Sequence, residues 1–104
     1  IKSSTLNAKI QYNFTANIWQ HPAEGGWFFV SLPPELTEEI RKNLQWQEEG
    51  WGRMKATATV HELEWDTAIW FDKKRATYLL PLKAAIRKKA GLQVDQMISV
   101  RVLL

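Results

Sequence analysis

Cysteine is absent from this sequence of 104 residues, which excludes disulfide bonds, thiolate metal sites and catalysis by a cysteine nucleophile. Histidine is scarce as well: only His21 and His61 occur, and neither has other ligands at the spacing of a metal site. No Gly-x-Ser-x-Gly segment is present, so the nucleophile elbow of a serine hydrolase is not expected. The sequence therefore predicts a protein that is not an enzyme and uses no metal or cofactor.

Long apolar runs are also lacking. No stretch has the length and hydrophobicity of a membrane-spanning helix, and the start of the chain, Ile1-Lys2-Ser3-Ser4, lacks the apolar core of a secretory signal. Apolar residues make up 45% and charged residues 24% of the chain, the balance of an ordinary globular protein. We therefore expect one cytoplasmic domain over residues 1–104, with no membrane contact.

Alternation of apolar and polar residues predicts most of the secondary structure. This period of two, together with short apolar runs, predicts strands at residues 10–18, 27–32, 54–60, 63–70, 77–80 and 98–104. Helices are predicted where apolar residues recur at helical spacing, after Pro33-Pro34 and from Leu82 to Ala90. The predicted fold class is mainly β: a small closed or double-split β-barrel of about six strands with two short helices.

Two segments of the chain follow the same design. Val30-Ser31-Leu32-Pro33 precedes a helix that carries Ile40-Arg41-Lys42, and Tyr78-Leu79-Leu80-Pro81 precedes a helix that carries Ile86-Arg87-Lys88. The match predicts a pseudo-two-fold internal repeat, in which one chain supplies both halves of the barrel. The second segment with its closing strand is also similar to the swapped-hairpin element of AbrB- and MazE-type transcription factors. Those proteins need two chains to complete one barrel, whereas this sequence predicts a monomer.

A wider set of markers covers nearly the whole chain. These markers are Trp27 with Val30-Ser31-Leu32-Pro33, Gly50-Trp51-Gly52-Arg53, Trp65, Asp72-Lys73-Lys74, Tyr78-Leu79-Leu80-Pro81, Lys83-Ala84-Ala85, Arg87-Lys88 and Gly91-Leu92. In order and spacing they resemble the family of domain of unknown function 1905 (DUF1905), small double-split β-barrel proteins of bacteria and archaea. The resemblance implies that fold and no established activity. The chain departs from the family at Val94-Asp95-Gln96, where Gly-Asp is usual, so Asp95 is expected to hold a positive φ.

Basic residues are concentrated in one part of the chain, although the net charge is only +3. Between Lys73 and Ala90 there are seven basic residues and no acidic one. Lys83 and Arg87 are four residues apart and therefore share one helix face. Arg53 and Lys55 begin a strand that is expected to lie near that face. The candidate residues for binding a ligand or an anion are Trp51, Arg53, Lys55, Lys83 and Arg87.

The sequence contains six tryptophans, a large number for its length. Trp27 and Trp65 lie at apolar strand positions and are predicted core residues. Trp51 lies between two glycines, which lets the backbone approach another surface closely, and its ring is able to stack on a base or a sugar. Packing within the domain is the alternative for every tryptophan, and solvation or stabilisation of a helix end is the alternative for the basic residues.

The predicted function is that of a ligand-binding or interaction domain without enzymatic activity. A small anionic ligand fits the candidate residues, because Lys and Arg pair with phosphate or carboxylate groups. The alternative is a nucleic-acid-binding module, in particular one for DNA, by analogy with AbrB-like barrels.

Overall fold

A computed structural model describes residues 9–23 and 25–104 of the chain. This part of the chain forms seven strands, two α-helices and one 3₁₀ turn. In chain order they are β1 (Gln11–Asn17), β2 (Trp19–Gln20), β3 (Phe28–Ser31), α1 (Pro34–Leu44), the 3₁₀ turn (Gln45–Gln47), β4 (Arg53–Val60), β5 (Leu63–Asp72), β6 (Thr77–Pro81), α2 (Ala84–Ala90) and β7 (Met97–Leu103). The predicted mainly β class with two short helices is confirmed.

All seven strands belong to one antiparallel sheet, in the order β1-β7-β4-β5-β6-β3-β2. Its two edge strands, β1 and β2, are consecutive in sequence and are separated only by Ile18. Ile18 is fully buried; its N–H donates to the carbonyl oxygen of Gln96 (2.9 Å), and its own carbonyl oxygen accepts from Asp95 (2.7 Å). The sheet is curled, because the chain passes from one edge to the other within a few residues.

The number of strands differs from the prediction. Residues 10–18 were expected to form one strand, but the backbone of Ile18 bonds to the segment before β7 and leaves the regular ladder. The predicted strand at residues 10–18 is β1, and Trp19–Gln20, for which the sequence predicts no strand, pairs with β3 as a separate short strand, β2. The sheet consequently has seven strands instead of about six.

The alternating residues of three strands project into one core. On β4 and β7 these residues are Met54, Ala56, Ala58, Val60, Ile98, Val100 and Val102, and on β1 they are Tyr12 and Phe14. Full burial of a Val, Ile or Phe side chain contributes about 1.5–3 kcal/mol. The alternation therefore supplies the driving force that curls the sheet around its core.

Strand β6 differs from the others because all five of its residues are buried. Tyr78 and Leu80 belong to the core. Thr77 is also buried, and its hydroxyl donates to the carbonyl oxygen of Leu32 (2.6 Å) and lies 2.7 Å from the hydroxyl of Thr37 on α1. These bonds satisfy the buried hydroxyl groups and join α1 to the sheet.

The ends of the helices follow sequence signals. Helix α1 begins at Pro34, whose missing N–H is not needed at a helix start. Helix α2 ends at Gly91, which has the left-handed conformation (φ 67°, ψ 38°) that glycine adopts without steric cost. Asp95 has a φ of 69°, so the positive φ expected from the departure from the family pattern is confirmed.

The turn between β4 and β5 has an unfavourable backbone conformation. It consists of His61 and Glu62, and both residues have positive φ, 50° and 68°. Turns of this kind normally contain Asn-Gly, because glycine has no Cβ to clash in the left-handed region. The Glu62→Gly substitution is therefore expected to raise the free energy of unfolding by about 0.5–1 kcal/mol, measured by urea denaturation.

Glu64→Gly provides the matched control, since Glu64 is also exposed but lies within β5. Glycine within a strand loses more conformational entropy on folding than glutamate does. This variant is expected to be less stable than the native chain. Destabilisation by both substitutions would show that the turn is not strained at Glu62.

Both tyrosines of the chain are buried, and both have a raised pKa. Burial raises the pKa of Tyr78, and a hydrogen bond to Glu48 and the charge of that carboxylate raise it further. Burial also raises the pKa of Tyr12, with an additional contribution from the charge of Glu39. The folded chain therefore keeps both phenol protons at a pH where the unfolded chain loses them.

This difference predicts how stability depends on alkaline pH. A raised pKa in the folded state stabilises the fold below the unfolded value of 10.0, and this stability is lost as the pH rises above it. We expect tyrosinate absorbance to appear together with the loss of circular dichroism in an alkaline titration. Complete ionisation near pH 10.0 in a chain that is still folded would contradict the burial of the two phenols.

Candidate functional site

The register of the sheet aligns a row of residues on its outer side, away from the core. Arg53 of β4 lies opposite Trp70 of β5, and Trp70 lies opposite Leu79 of β6. Leu79 in turn lies opposite Ser31 of β3. Directly opposed residues on antiparallel strands project from the same face. A guanidinium and an indole ring thus lie side by side on the outer side of the sheet, and the buried Leu79 lies between Trp70 and Ser31 in the same row.

Aromatic rings continue this surface along β2 and β3. The ring centroids of Trp19 and Phe29 are 5.1 Å apart, and the Trp27 ring stacks on Phe29 at 6.3 Å with an interplanar angle of 15°. The Trp19 indole N–H donates to the hydroxyl of Ser31 (2.9 Å), which fixes that ring against the sheet. The Trp27 ring stacks on Phe29 and is itself 66% exposed to solvent.

The prediction that Trp27 is a core residue is therefore wrong. Strand β3 begins at Phe28, and Phe28 and Val30 take the side of the strand that faces the core. Trp27 and Phe29 alternate with them and project outward. Trp65, the other tryptophan predicted for the core, does pack against it.

An open groove with a volume of about 560 Å³ lies on this outer side. Its charged and aromatic lining residues are Lys9, Trp27, Arg53, Lys55, Asp66, Trp70 and Lys83, and we call it the basic groove. Among residues 9–23 and 25–104, four cations and one carboxylate line it, so the local potential favours an anion. The carboxylate, Asp66, accepts a hydrogen bond from the hydroxyl of Thr57 (3.3 Å).

A second acidic side chain contacts the cations of the basic groove. One carboxylate oxygen of Glu49 lies 3.0 Å from the Arg53 guanidinium, and the other lies 4.0 Å from the Lys55 ammonium group. All three side chains are well exposed, so each pair contributes only about 0–1 kcal/mol. A ligand anion that binds Arg53 and Lys55 is thus able to displace Glu49 at a small free-energy cost.

A smaller groove of about 240 Å³ adjoins the basic groove, and we call it the side groove. It is lined by Gly25, Gly26, Trp27, Phe28, Leu82, Lys83, Ala84 and Arg87. The two grooves share Trp27 and Lys83. The guanidinium of Arg87 is held in place, because it lies 3.7 Å above the Phe28 ring and its Nε donates to the carbonyl oxygen of Leu82 (3.1 Å).

Four of the five residues predicted as a ligand site lie in these two grooves. Arg53, Lys55 and Lys83 line the basic groove, and Arg87 lines the side groove together with Lys83. The sequence-based expectation that the start of β4 lies near Lys83 is thus met. The binding role of these residues stays a prediction.

Trp51, the fifth predicted residue, lines neither groove. It lies in the loop between Glu49 and Arg53, whose backbones pair as an isolated bridge. Gly50 and Gly52 have positive φ, 37° and 79°, and close this tight loop. The loop leaves Trp51 93% exposed at its tip.

The candidate residues predicted from the sequence do not include two groove residues, Trp27 and Trp70. Trp27 lies in an apolar run, where neighbouring positions on either side of the strand are hydrophobic, and such a run indicates burial on both faces. Trp70 lies near the end of a predicted strand, a position that indicates a barrel cap or a half-exposed ring but no ligand. Only the pairing of Trp70 with Arg53 reveals that this indole lies beside a cation on the outer side. The signals for exposed rings were the large number of tryptophans and, for Trp70, its position near a strand end.

Comparison with known protein families shows which family the chain belongs to. The sequence profile of the family described as domain of unknown function (DUF1905) matches residues 14–102. The chain belongs to DUF1905. This confirms the resemblance found in the sequence markers, and the matched part of the DUF1905 chain includes every lining residue of both grooves except Lys9. No curated protein matches the chain.

Two further observations concern residues 9–23 and 25–104 of this DUF1905 chain. None of the helices formed there combines the length and the apolar character needed to cross a bilayer. In the same ranges, no three side chains among His, Asp and Glu lie close enough together to hold a metal ion.

Proposed function

We propose that this chain is a binding domain without enzymatic activity, and that its ligand is an anion carrying a flat ring. The observation that carries the proposal is the composition of the basic groove, where four cations surround two exposed indole rings. The anionic group of the ligand binds Arg53, Lys55 and Lys83. Its ring stacks on Trp27 or Trp70.

The cations of the groove support recognition of an anion. Hydrogen bonds from Arg or Lys to phosphate or carboxylate are about twice as strong as neutral ones. The hydrogen bond from Arg53 to Glu49 (3.0 Å) is an example within the chain, and the other oxygen of the same carboxylate lies 4.0 Å from the Lys55 ammonium group. A phosphate has three oxygens for the same contacts and carries more charge at neutral pH.

The tryptophans support recognition of a ring. Large exposed apolar surfaces on soluble domains usually belong to binding sites, because their exposure to water is unfavourable. Trp27 and Trp70 are 66% and 39% exposed, and each has a cation of the basic groove nearby. Arg53 lies 5.8 Å from the centre of the Trp70 ring, close enough to orient a stacked ligand beside its own charge.

The open shape of the groove favours binding over catalysis. Enzymes exclude water from the reacting groups, because fixed charges act more strongly in a medium of low dielectric constant. The basic groove is open to solvent, and Asp66, the one carboxylate that lines it in the described part of the chain, is already hydrogen-bonded to Thr57. These features suit reversible attraction of a charged ligand.

Titration with deoxyadenosine monophosphate (dAMP), followed by tryptophan fluorescence, tests the proposal. We expect dAMP to bind more tightly than either inorganic phosphate, which lacks the ring, or deoxyadenosine, which lacks the charge. Trp27→Ala is expected to weaken dAMP binding by about 5- to 150-fold, the loss of one stacking contact. Its matched control is Trp46→Ala, since Trp46 is 78% exposed and lines neither groove.

Each outcome of this titration decides the proposal. Unchanged dAMP affinity in both Trp27→Ala and Trp70→Ala would overturn it, and so would equal binding of deoxyadenosine and dAMP. Loss of affinity in Trp27→Ala with native affinity in Trp46→Ala would support it.

We also infer that the curled sheet is a double-split barrel made of two equivalent halves. If β1 and β2 count as one strand broken at Ile18, exchanging this strand with β5, β7 with β4 and β3 with β6 preserves every strand pairing. The register supports this symmetry, because Ser31 pairs with Leu79 and these residues are equivalent in the two Leu-Pro segments.

If the sheet closes into a barrel, we expect slow amide hydrogen exchange in β1 and β2, the two strands at the ends of the sheet. Amide protons of β1 and β2 that are bonded to β7 and β3 are expected to exchange as slowly as those of β4. Rapid exchange throughout β2 would contradict closure.

A further inference from the structure

We infer that the basic groove and the side groove together form a track for single-stranded nucleic acid. The inference rests on the proposed function, and it names the ligand class: a chain of nucleotides instead of one small anion. The track is defined by the residues that line the two grooves. Trp27 and Lys83 line both and therefore join them.

The shape of the track favours a polymer. Sites for small molecules are concave and bury about 70–90% of the ligand surface. Here a groove of about 560 Å³ continues into one of about 240 Å³, and both are open to solvent. A nucleotide chain is able to lie along such a surface while its solvent side stays hydrated.

The cations are distributed along the track. Arg53 and Lys55 lie in the basic groove, Lys83 lies where the two grooves meet, and Arg87 lies in the side groove. A single phosphate is able to contact only some of these cations, whereas successive phosphates of a nucleic-acid strand are able to contact all of them. Binding of this kind releases counterions and weakens steeply with salt.

The two exposed indole rings provide places for unpaired bases. Trp70 lies in the basic groove and Trp27 where the grooves meet. Stacking on aromatic side chains is the common mode of recognition for single strands, because every base has a flat face. The bases of a duplex stack on one another and do not offer that face to a protein surface.

The basic helix is poorly suited to read a duplex. Helix α2 has only seven residues, and Arg87 is held by the Phe28 ring and the carbonyl oxygen of Leu82. Its guanidinium therefore stays against the domain, where it lines the side groove, and does not extend from the helix toward a major groove. Single-stranded nucleic acid fits these constraints better than double-stranded DNA.

Substitution of Glu49 provides a test whose expected result is tighter binding, a result that loss of folding does not produce. Its carboxylate contacts Arg53 and Lys55, which the phosphates must also contact. Glu49→Gln removes this competing charge and is expected to tighten binding of a strand by about twofold to fivefold. Unfolding of a variant never increases affinity.

The experiment compares three probes by fluorescence anisotropy or competition against a labelled strand. The probes are an oligodeoxyadenylate of about ten nucleotides, the same strand annealed to its complement, and dAMP. We expect the single strand to bind at least about tenfold more tightly than either of the other two at low salt, and to weaken at physiological salt.

Variants then locate the binding surface. Trp27→Ala and Lys83→Glu are each expected to weaken binding of the single strand by at least about tenfold. Trp46→Ala and Lys42→Glu are the matched controls, because both residues are exposed and line neither groove. Native affinity in Trp27→Ala or Lys83→Glu would overturn the inference, and so would unchanged or weaker binding in Glu49→Gln.

The remaining outcomes separate this inference from the proposed function. Equal affinity for dAMP and for the strand would overturn the nucleic-acid track and leave the anion site standing. Duplex binding as tight as that of the single strand would also overturn the track. Absence of binding by all three probes at low salt would overturn both.

Discussion

Simultaneous charge reversal of Arg53 and Lys83 is expected to weaken dAMP binding by at least about 100-fold. Each substitution removes a cation that attracts the phosphate and adds a glutamate that repels it, so each is expected to weaken binding by roughly tenfold, or about 1.4 kcal/mol. Both side chains are at the surface of the basic groove, so the fold is expected to remain intact. Calorimetric titration of Arg53→Glu/Lys83→Glu measures the loss, and circular dichroism monitors folding.

The matched control for this variant is Lys42→Glu/Lys73→Glu. It changes the net charge by the same amount, and both lysines are exposed and line neither groove. We expect its dAMP affinity to fall by less than about threefold, because salt screens exposed charges that do not contact the ligand. An equally large loss in the control would mean that net charge governs binding and the basic groove does not.

Leu80→Ala is expected to lower the free energy of unfolding by about 2–5 kcal/mol. Leu80 is fully buried in β6 and lies opposite Val30, which is also fully buried. Truncation removes apolar contacts and leaves a cavity that the surrounding strands fill only in part. Because small domains have a total stability of about 5–15 kcal/mol, this is a large fraction of it.

Urea denaturation of Leu80→Ala and Val94→Ala measures this effect against a control. Val94 is 42% exposed, so its truncation is expected to change stability by no more than about 0.5 kcal/mol. A loss in Leu80→Ala as small as that in Val94→Ala would contradict the position of Leu80 in the core.

The strands could be predicted where one face is polar and the other apolar. In β4 and β7 every second residue is buried, and the alternation in the sequence matches the alternation in burial. The end of helix α2 could be predicted because Gly91 favours a left-handed conformation that ends a helix, whereas its start lies at Ala84 and not at the predicted Leu82. In these elements the residues that local conformational preference favours are also the residues that tertiary packing requires.

The break at Ile18, which separates β1 from the unpredicted strand β2, is a tertiary effect. The alternation of residues 10–18 continues without interruption, and it contains no proline or glycine to mark an end. The break arises because the backbone of Ile18 bonds to Asp95 and Gln96, which are distant in sequence. Strand periodicity carries no information about such partners.

The basic residues of the candidate site could be predicted from the sequence, but its aromatic residues could not. Arg53, Lys55 and Lys83 could be identified because basic residues are easily recognised in a globular sequence. The three side chains do line one groove. Trp27 was assigned to the core because its run is apolar on both sides of the strand. Sheet register decides which side an aromatic residue takes, and a one-residue shift would reverse it.

The most direct measurement is a nuclear magnetic resonance titration of the six tryptophan indole N–H groups with dAMP. A ligand that stacks in the basic groove shifts the signals of Trp27 and Trp70, whose rings line it. The signals of Trp46 and Trp51 are predicted to stay in place, since neither ring lines a groove. Shifts at Trp51 or Trp46 with unchanged Trp27 and Trp70 signals would contradict the basic groove as the binding site.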